Sequence, residues 1–292
     1  RLLMSNIELI VTHPGGAHKD DFLACAVFLA RNPVAIERRD PTDAEVADAS
    51  IAVIDVGGEH APERNNYDHH QLPRDHVPTC ALSLILQSLD LYEDARAFCD
   101  WLEMAEWLDC RGAIGTARQF GFERDLLGQL LSPIDVTFLR RFAKSTRLEP
   151  GETLWETMRW IGADLLEYIE SMHSRMLAIE KEAQWWEFEH AGEVLRVLFL
   201  ERKESMSDDA GMGLGRYIQQ LTDGPPVIGT IVPDRRGEGY GLSRHNDDAR
   251  LDFTRIDAED DVHFAHKSGF LAKTSATDLA RVRALFAQGL VG

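Results

Sequence analysis

Ile51-Ala52-Val53-Ile54-Asp55-Val56-Gly57-Gly58 is an apolar run of strand length that ends in a carboxylate and a pair of glycines. A run this short and continuously apolar reads as a strand buried on both faces, as in parallel sheets. Asp55 breaks the pattern, and a carboxylate there is costly to bury without a cationic partner. Thirteen residues on stands Asp68-His69-His70, a row of metal-competent side chains. Upstream, a second apolar run, Ile7 to Thr12, flows into His13-Pro14-Gly15-Gly16-Ala17-His18-Lys19-Asp20-Asp21. Both clusters pair imidazole with carboxylate and have no thiol nearby. That ligand set suits Mn²⁺, Mg²⁺ or Zn²⁺ in hydrolysis better than a structural zinc.

The surroundings alternate strand and helix. Phe22–Arg31 reads as a helix stopped by Asn32-Pro33, Ala35–Arg39 as a strand, and Asp43–Ala49 as helical. The expected fold is therefore α/β with a doubly wound parallel sheet, in which ligands sit at the carboxyl ends of strands. His13 and Asp55 both fall there. The Gly15-Gly16 pair allows a tight turn and close backbone approach to a ligand.

Further on, helices are expected over Thr79–Leu89 and Tyr92–Leu108, the second with a packed face of Phe98, Trp101, Leu102, Ala105 and Leu108. It runs into Asp109-Cys110-Arg111-Gly112, with Gly112 as its stop. Helical patterns follow at Arg124–Leu131, Asp135–Lys144 and Thr153 to about Glu187. From Val194 a second alternation begins: strands at 194–200, 227–232, 240–244 and 262–266, and helices at 213–221 and 276–290. Gly237-Glu238-Gly239 reads as a hairpin turn. The expected partition is a metal-binding catalytic domain over 1–150, a helical connector over 151–190, and a smaller α/β substrate domain over 191–292.

Composition narrows the function. Of 292 residues, 31 are Lys or Arg and 49 Asp or Glu, a net charge of −18. Generic duplex binding through phosphate neutralisation is thereby disfavoured. From Pro225 onward there are nine basic against ten acidic residues, and 22 against 39 before it, so anion binding is expected in the C-terminal part. No apolar run approaches membrane-spanning length. Residues 1–6 are too short for a signal peptide, Met4 reads as the natural start, and a soluble cytoplasmic protein is expected. Cys25, Cys80, Cys99 and Cys110 show no paired spacing and read as reduced core thiols.

Hydrolysis of a phosphate ester needs an activated water and neutralisation of phosphoryl charge, which two metals roughly 3.5–4 Å apart accomplish. The candidate ligands are His13, His18 and Asp20 from the first loop, Asp55 from the second, the Asp68-His69-His70 triplet, and Asp109 at a helix end. Asp21 is a spare carboxylate that could replace Asp20.

The order His13…His18-x-Asp20, then Asp55, then Asp68-His69-His70, then Asp109 resembles the motifs of the DHH phosphoesterase superfamily. Thr12-His13-x₄-His18-x-Asp20-Asp21-x₂-Ala24-Cys25 and Asp55-Val56-Gly57-Gly58…Tyr67-Asp68-His69-His70-Gln71 are similar to the melanocyte-proliferating-gene, MYG-type, family of DHH-like exonucleases. The likeness covers the first 110 residues, thins in the middle and resumes at Val262–Phe270. It implies a DHH-type catalytic domain and two divalent ions, Mn²⁺ expected with Mg²⁺ or Zn²⁺ as alternatives. His13 and His18 would hold one ion and Asp20, His69 and Asp109 the other, with Asp55 bridging. His70 would face the scissile phosphate and Asp68 would orient the histidines. The superfamily's first loop usually has Asp where His18 stands. The implied activity is a metal-dependent 3′–5′ exonuclease or phosphodiesterase on short single-stranded nucleic acid or nucleotides, with no membrane partner and a homodimer as the assembly considered. A small-molecule phosphatase or pyrophosphatase, and a catalytically inactive metal-binding regulator, are the alternatives.

The resemblance also implies a substrate-holding C-terminal domain, with Arg244, His266, Lys267, Ser268 and Gly269 gripping a phosphate. A Ser-Gly turn between basic side chains offers backbone N–H groups to an anion. Gly211-Met212-Gly213-Leu214-Gly215, preceded by Ser207-Asp208-Asp209, does not fit a nucleotide loop and reads as a helix entry. Trp185-Trp186 is expected at the end of the long helix, packing between domains. Arg235-Arg236 reads as solvated, and His60, His76, His173 and His190 show no partner pattern.

Overall fold

The computed structural model describes residues 6–203 and 209–292. Met4 and the Ser207-Asp208 pair therefore lie outside the described residues. The chain divides into two compact units, 1–171 and 172–292.

The first unit holds a six-stranded sheet in the order β4-β5-β3-β1-β2-β6. Its strands are β1 (Leu9–Thr12), β2 (Ala35–Arg38), β3 (Ile51–Ile54), β4 (His60–Ala61), β5 (Asn66–Tyr67) and β6 (Arg147–Leu148). β2, β1, β3 and β5 are parallel; β4 and β6 close the two edges antiparallel. The α/β expectation is met, and the parallel strands have the continuous apolar character that burial on both faces requires.

Its helices are α1 (Lys19–Arg31), α2 (Asp43–Ala47), α3 (Ala81–Ser88), α4 (Tyr92–Phe98), α5 (Asp100–Phe120), α6 (Asp125–Gln129), α7 (Pro133–Lys144) and α8 (Thr153–Glu182), the last shared with the second unit. α1 starts earlier than the apolar pattern suggests, because the Asp21 side chain accepts from the His18 N–H at 2.7 Å and caps the helix. The single helix expected over 92–108 is broken at Cys99, whose extended ψ of 88° separates α4 from α5. The break shifts the helical phase, so Phe98, Leu102 and Ala105 are buried while Trp101 is 37% exposed. α5 is itself interrupted at Gly112, with φ 65° and ψ 177°, directly after Asp109-Cys110-Arg111. Gly112 thus supplies the expected stop.

The run expected to connect two domains is in part core. Trp155, Met158, Leu166 and Ile169 of α8 join the apolar cluster of Phe28, Leu82 and Ile85. Gly162 permits this: a Cβ there would stand 1.9 Å from the Ala26 carbonyl oxygen of α1.

The second unit contains β7 (Gln184–His190), β8 (Glu193–Phe199), α9 (Leu214–Gln219), β9 (Val227–Pro233), β10 (Tyr240–Arg244), β11 (Val262–Ala265), β12 (Leu271–Thr274) and α10 (Leu279–Gln288). Its sheet runs β11-β12-β10-β9-β8-β7, antiparallel except for β8 beside β9. Trp185-Trp186 lies in β7 and not at a helix end. Ala191 and Gly192, both left-handed, turn the chain so that β7 pairs along its whole length with β8. Phe188, Phe199, Phe253 and Phe286 fill the core under α10. Gly213 caps α9 at φ 79°, as the helix-entry reading requires.

Candidate metal centre

Three chain segments of the first unit deliver the site. β1 ends at Thr12 and hands His13 to the turn before α1; β3 ends at Ile54 and hands over Asp55; β5 ends at Tyr67 and hands over Asp68, His69 and His70. α5 adds Asp109 beside its Gly112 break. Asp55 has φ 58°, a left-handed conformation uncommon outside glycine, asparagine and aspartate. The backbone turns sharply there, held by the Asp55 N–H on the Tyr67 carbonyl at 2.9 Å.

Asp55 divides its two oxygens. Oδ2 lies 3.4 Å from His13 Nε2, and Oδ1 lies 3.2 Å from His69 Nε2. On the far side His69 Nε2 is 2.8 Å from Asp109 Oδ2, and His18 Nδ1 is 3.7 Å from Asp109 Oδ1. His18 therefore groups with Asp20 and Asp109, a set whose ligand atoms lie within 4.8 Å of one another, while its ring stands 6.4 Å from that of His13.

The polar atoms that meet here lack ordinary partners. Both oxygens of Asp20, Oδ1 of Asp55, Oδ2 of Asp21, Oδ2 of Asp109 and Nε2 of His69 are buried with no hydrogen bond. The close approach of His69 to Asp109 lacks hydrogen-bond geometry. Buried polar atoms are seldom left unpaired, and so many in one place call for a cation. His13 points the same way. Its Nδ1 can only donate to the Pro14 carbonyl, at 2.9 Å, which turns Nε2 toward Asp21 and Asp55. The donor set of carboxylates and imidazoles fits divalent ions.

The electrostatics record the same crowding. Burial, then Asp55 and Asp109, push the Asp20 carboxyl well above its usual range. Burial likewise raises Asp55, against the pull of His69. The Asp21 carboxylate, facing it at 3.0 Å, lifts His13 to about 9. Burial opposes protonation of His69, yet Asp109 and Asp55 carry it to about 12. With carboxylates outnumbering cations, histidines take up protons where a metal ion would supply charge.

Asp20 and Asp21 have different surroundings. Asp21 Oδ1 accepts from the His18 and Phe22 N–H groups, and Oδ2 faces His13 at 3.0 Å and Arg38 at 3.5 Å. Asp20, 1% exposed, turns both unpartnered oxygens inward. Asp68 accepts from the Gly58 N–H at 2.6 Å and from both the His70 N–H and Nδ1. Burial alone would raise Asp68, but the His70 and Gly58 hydrogen bonds outweigh it and bring it to about 2. The Asp68 hydrogen bond in turn raises His70. His70 keeps Nε2 at the exposed rim, its side chain 62% exposed.

Two residues escaped the sequence reading. Arg38, at the end of β2, is 4% exposed and donates to the Gly15, Gly16 and Phe142 carbonyls. A lone arginine after a strand carries no signal of that role. Cys110 is not a core thiol: Sγ donates to the Thr79 carbonyl at 2.9 Å and lies 3.9 Å from His69 Nδ1. A thiol thus does stand near the cluster, contrary to the spacing in sequence.

In the second unit the β11–β12 turn uses its own amides. Ser268 N–H donates to His266 Nδ1 at 3.1 Å and Gly269 N–H to the His266 carbonyl at 2.8 Å. Gly269 is required because a Cβ would meet Asp252 Oδ1 at 2.2 Å. Arg244 donates to the Leu251 carbonyl and pairs with Asp247, and Lys267 is exposed. The turn's internal needs account for amides that an anion would otherwise use.

Known proteins resemble this chain mainly over the first strands. Residues 9–83 match the MYG1_exonuc family model, described as an uncharacterised protein family, UPF0160. Over 66 residues the chain is 44% identical to MYG1 exonuclease of Rattus norvegicus, covering 21% of this chain and 16% of that protein. It is also 44% identical over 66 residues to MYG1 exonuclease of Homo sapiens, covering 21% and 17%. The matched stretch thus spans about one sixth of these relatives' length. Among solved structures, the pGpG-specific phosphodiesterase PggH from Vibrio cholerae aligns over 97% of this chain and 98% of its own, at 15% identity and a TM-score of 0.33. RecJ from Thermus thermophilus, in complex with Mn²⁺, aligns over 96% of this chain and 51% of its own, at 14% identity and a TM-score of 0.27. From β1 into α3, across the His13–Asp21 loop and the Asp68-His69-His70 triplet, the chain is similar in sequence to the MYG1_exonuc family.

Proposed function

We propose that the first unit is a divalent-metal-dependent phosphodiesterase that shortens single-stranded nucleic acids, or cleaves short nucleotides, from an end. One observation carries the reading: buried, unpartnered oxygens of Asp20, Asp55 and Asp109 converge with His69 Nε2 in one place. The relatives matched over 66 residues bear the name exonuclease, which supports a polymer end as substrate.

Two divalent cations, Mn²⁺ expected, would supply neutralisation of phosphoryl charge and acidify a water. The holding residues would be His13, His18, Asp20, Asp55, His69 and Asp109. Asp55 presents one oxygen to each histidine, as a shared ligand must. The Pro14 carbonyl fixes the His13 ring, and Asp68 does the same for His70 by accepting a hydrogen bond from its Nδ1–H. The same hydrogen bond favours the imidazolium form of His70, in which Nε2–H at the rim would donate to a phosphoryl or leaving-group oxygen.

The test is hydrolysis of bis-p-nitrophenyl phosphate with Mn²⁺, and of 5′-labelled RNA and DNA. A ladder shortened from the 3′ end supports 3′–5′ action. Turnover that survives chelator sinks the metal-dependent reading. Orthophosphate release from pyrophosphate alone redirects it to a small-molecule phosphatase, and metal binding without turnover redirects it to a regulator.

A further inference from the structure

The loop after His70 builds a cavity of about 200 Å³ against the end of the first segment of α5. His69, His70, Asp109 and Cys110 form its inner wall, so it opens beside the candidate metal centre. Leu72, Pro73, Arg74, His76, Val77 and Arg111 form the outer wall. Every one of these residues belongs to the first unit.

The outer wall is cationic in a chain of net charge −18. Arg111 straps the loop by donating from Nη2 to the His76 carbonyl at 2.7 Å and from Nη1 to its own Cys110 carbonyl at 3.2 Å. The Gly112 break leaves Arg111 at a helix end, where it can turn back over the loop. Arg74 is exposed and, among the described residues, has no hydrogen bond or ion pair. The His76 ring is exposed beside it. Two guanidinium groups and an imidazole line one hollow, whose lining carboxylate is Asp109 on the inner side; Asp75, between Arg74 and His76 in the chain, is exposed and does not line it.

We infer that this cavity is an anion subsite that takes a non-scissile phosphate adjacent to the one being cleaved. The inference rests on the phosphodiesterase reading and names where the neighbouring phosphate of that substrate goes. A guanidinium fork matches phosphate oxygens two at a time. Leu72, Pro73 and Val77 add an apolar rim on which the adjoining sugar or base of such a substrate can rest. The volume is below the roughly 300–1,000 Å³ of sites that enclose whole ligands, so it holds a piece of a substrate anchored elsewhere. A simple phosphate monoester has nothing to put there, whereas a phosphorylated oligonucleotide does.

The experiment is equilibrium binding, by fluorescence anisotropy on metal-free protein, of a labelled dinucleotide with and without a 5′-terminal phosphate. The parent protein should prefer the phosphorylated ligand about tenfold, Arg74→Ala should erase that preference, and Arg74→Lys should keep part of it. Equal affinities in the parent, or a preference that survives Arg74→Ala, overturns the subsite. Binding is read without turnover, so failure here is separate from failure of the phosphodiesterase reading. That reading is decided by hydrolysis of the unphosphorylated dinucleotide by the metal-loaded parent.

Discussion

Arg38 brings its guanidinium to 3.5 Å from Asp21 Oδ2 and thereby ties the end of β2 to the loop that carries His13 and His18. The same group satisfies three backbone carbonyls and lies over the Phe142 ring at 4.4 Å. Arg38→Ala leaves three carbonyls unpaired and takes the guanidinium from a buried carboxylate, so a loss of about 3–5 kcal/mol is expected. Chemical denaturation measures it. Arg38→Lys, which has no fork, should recover only part.

Asp55→Asn should fold, because asparagine tolerates the left-handed backbone that Asp55 adopts. It removes the shared negative charge between His13 and His69. Turnover should fall by roughly 10²–10³ or more, the range seen when one preorganised electrostatic group is lost, and metal content should drop. Asp55→Ala adds a backbone penalty, so the asparagine variant is the cleaner test. Parent-like metal content and turnover in Asp55→Asn would remove Asp55 from the site.

Asp20→Asn separates stability from metal binding. The Asp20 carboxyl is held above its normal range by burial and by Asp55 and Asp109. Its charge thus works against the metal-free fold, and the neutral amide should raise the melting temperature of chelator-treated protein. Metal at 100 times its dissociation constant should add about 2.7 kcal/mol to the parent, and much less to the variant. Differential scanning calorimetry with and without Mn²⁺ tests both signs together.

The start of α2 should open in acid. Hydrogen bonds from Arg39 and the Thr42 backbone lower Glu45 from 4.5 to about 2. A carboxylate depressed in the folded state contributes stability above its unfolded pKa and loses it as pH falls through the folded value. The contribution is therefore intact above about pH 4.5 and gone near pH 2. Amide exchange at Thr42–Val46 should accelerate across that window, and Glu45→Gln should remove the pH dependence.

Gly162→Ala should destabilise the first unit by about 1–3 kcal/mol, the cost of overpacking, because its Cβ would overlap the Ala26 carbonyl of α1. An exposed helical glycine changed to alanine would instead stabilise. Thermal unfolding distinguishes the signs and checks that this part of α8 packs as core and does not merely link two units.

Local chemistry wrote much of this protein into its sequence. Apolar runs ending at Thr12 and Ile54, each followed by polar metal-competent residues, were enough to order β1 and β3 in a parallel sheet with those residues at their ends. The Asp68-His69-His70 triplet and Asp109 were legible for the same reason: unusual residue types stood at element ends. Boundaries that depend on a single backbone torsion were not legible. Cys99 splits a helix whose periodicity runs through it, and Ala191-Gly192 converts the Trp185-Trp186 stretch into a hairpin strand.

Only tertiary packing could decide which partners meet across long separations. Arg38 finds Gly15, Gly16 and Asp21 because β2 lies beside β1, and Cys110 finds His69 because its thiol is held on the Thr79 carbonyl. Asp20 and Asp21 are alike as sequence, yet helix geometry turns both oxygens of Asp20 into the unpartnered cluster and gives one oxygen of Asp21 to the His18 and Phe22 amides. The triplet and the loops name the ligand types through residue chemistry. Which oxygen faces which histidine follows from the sheet, because only the fold sets distances between side chains far apart in the chain.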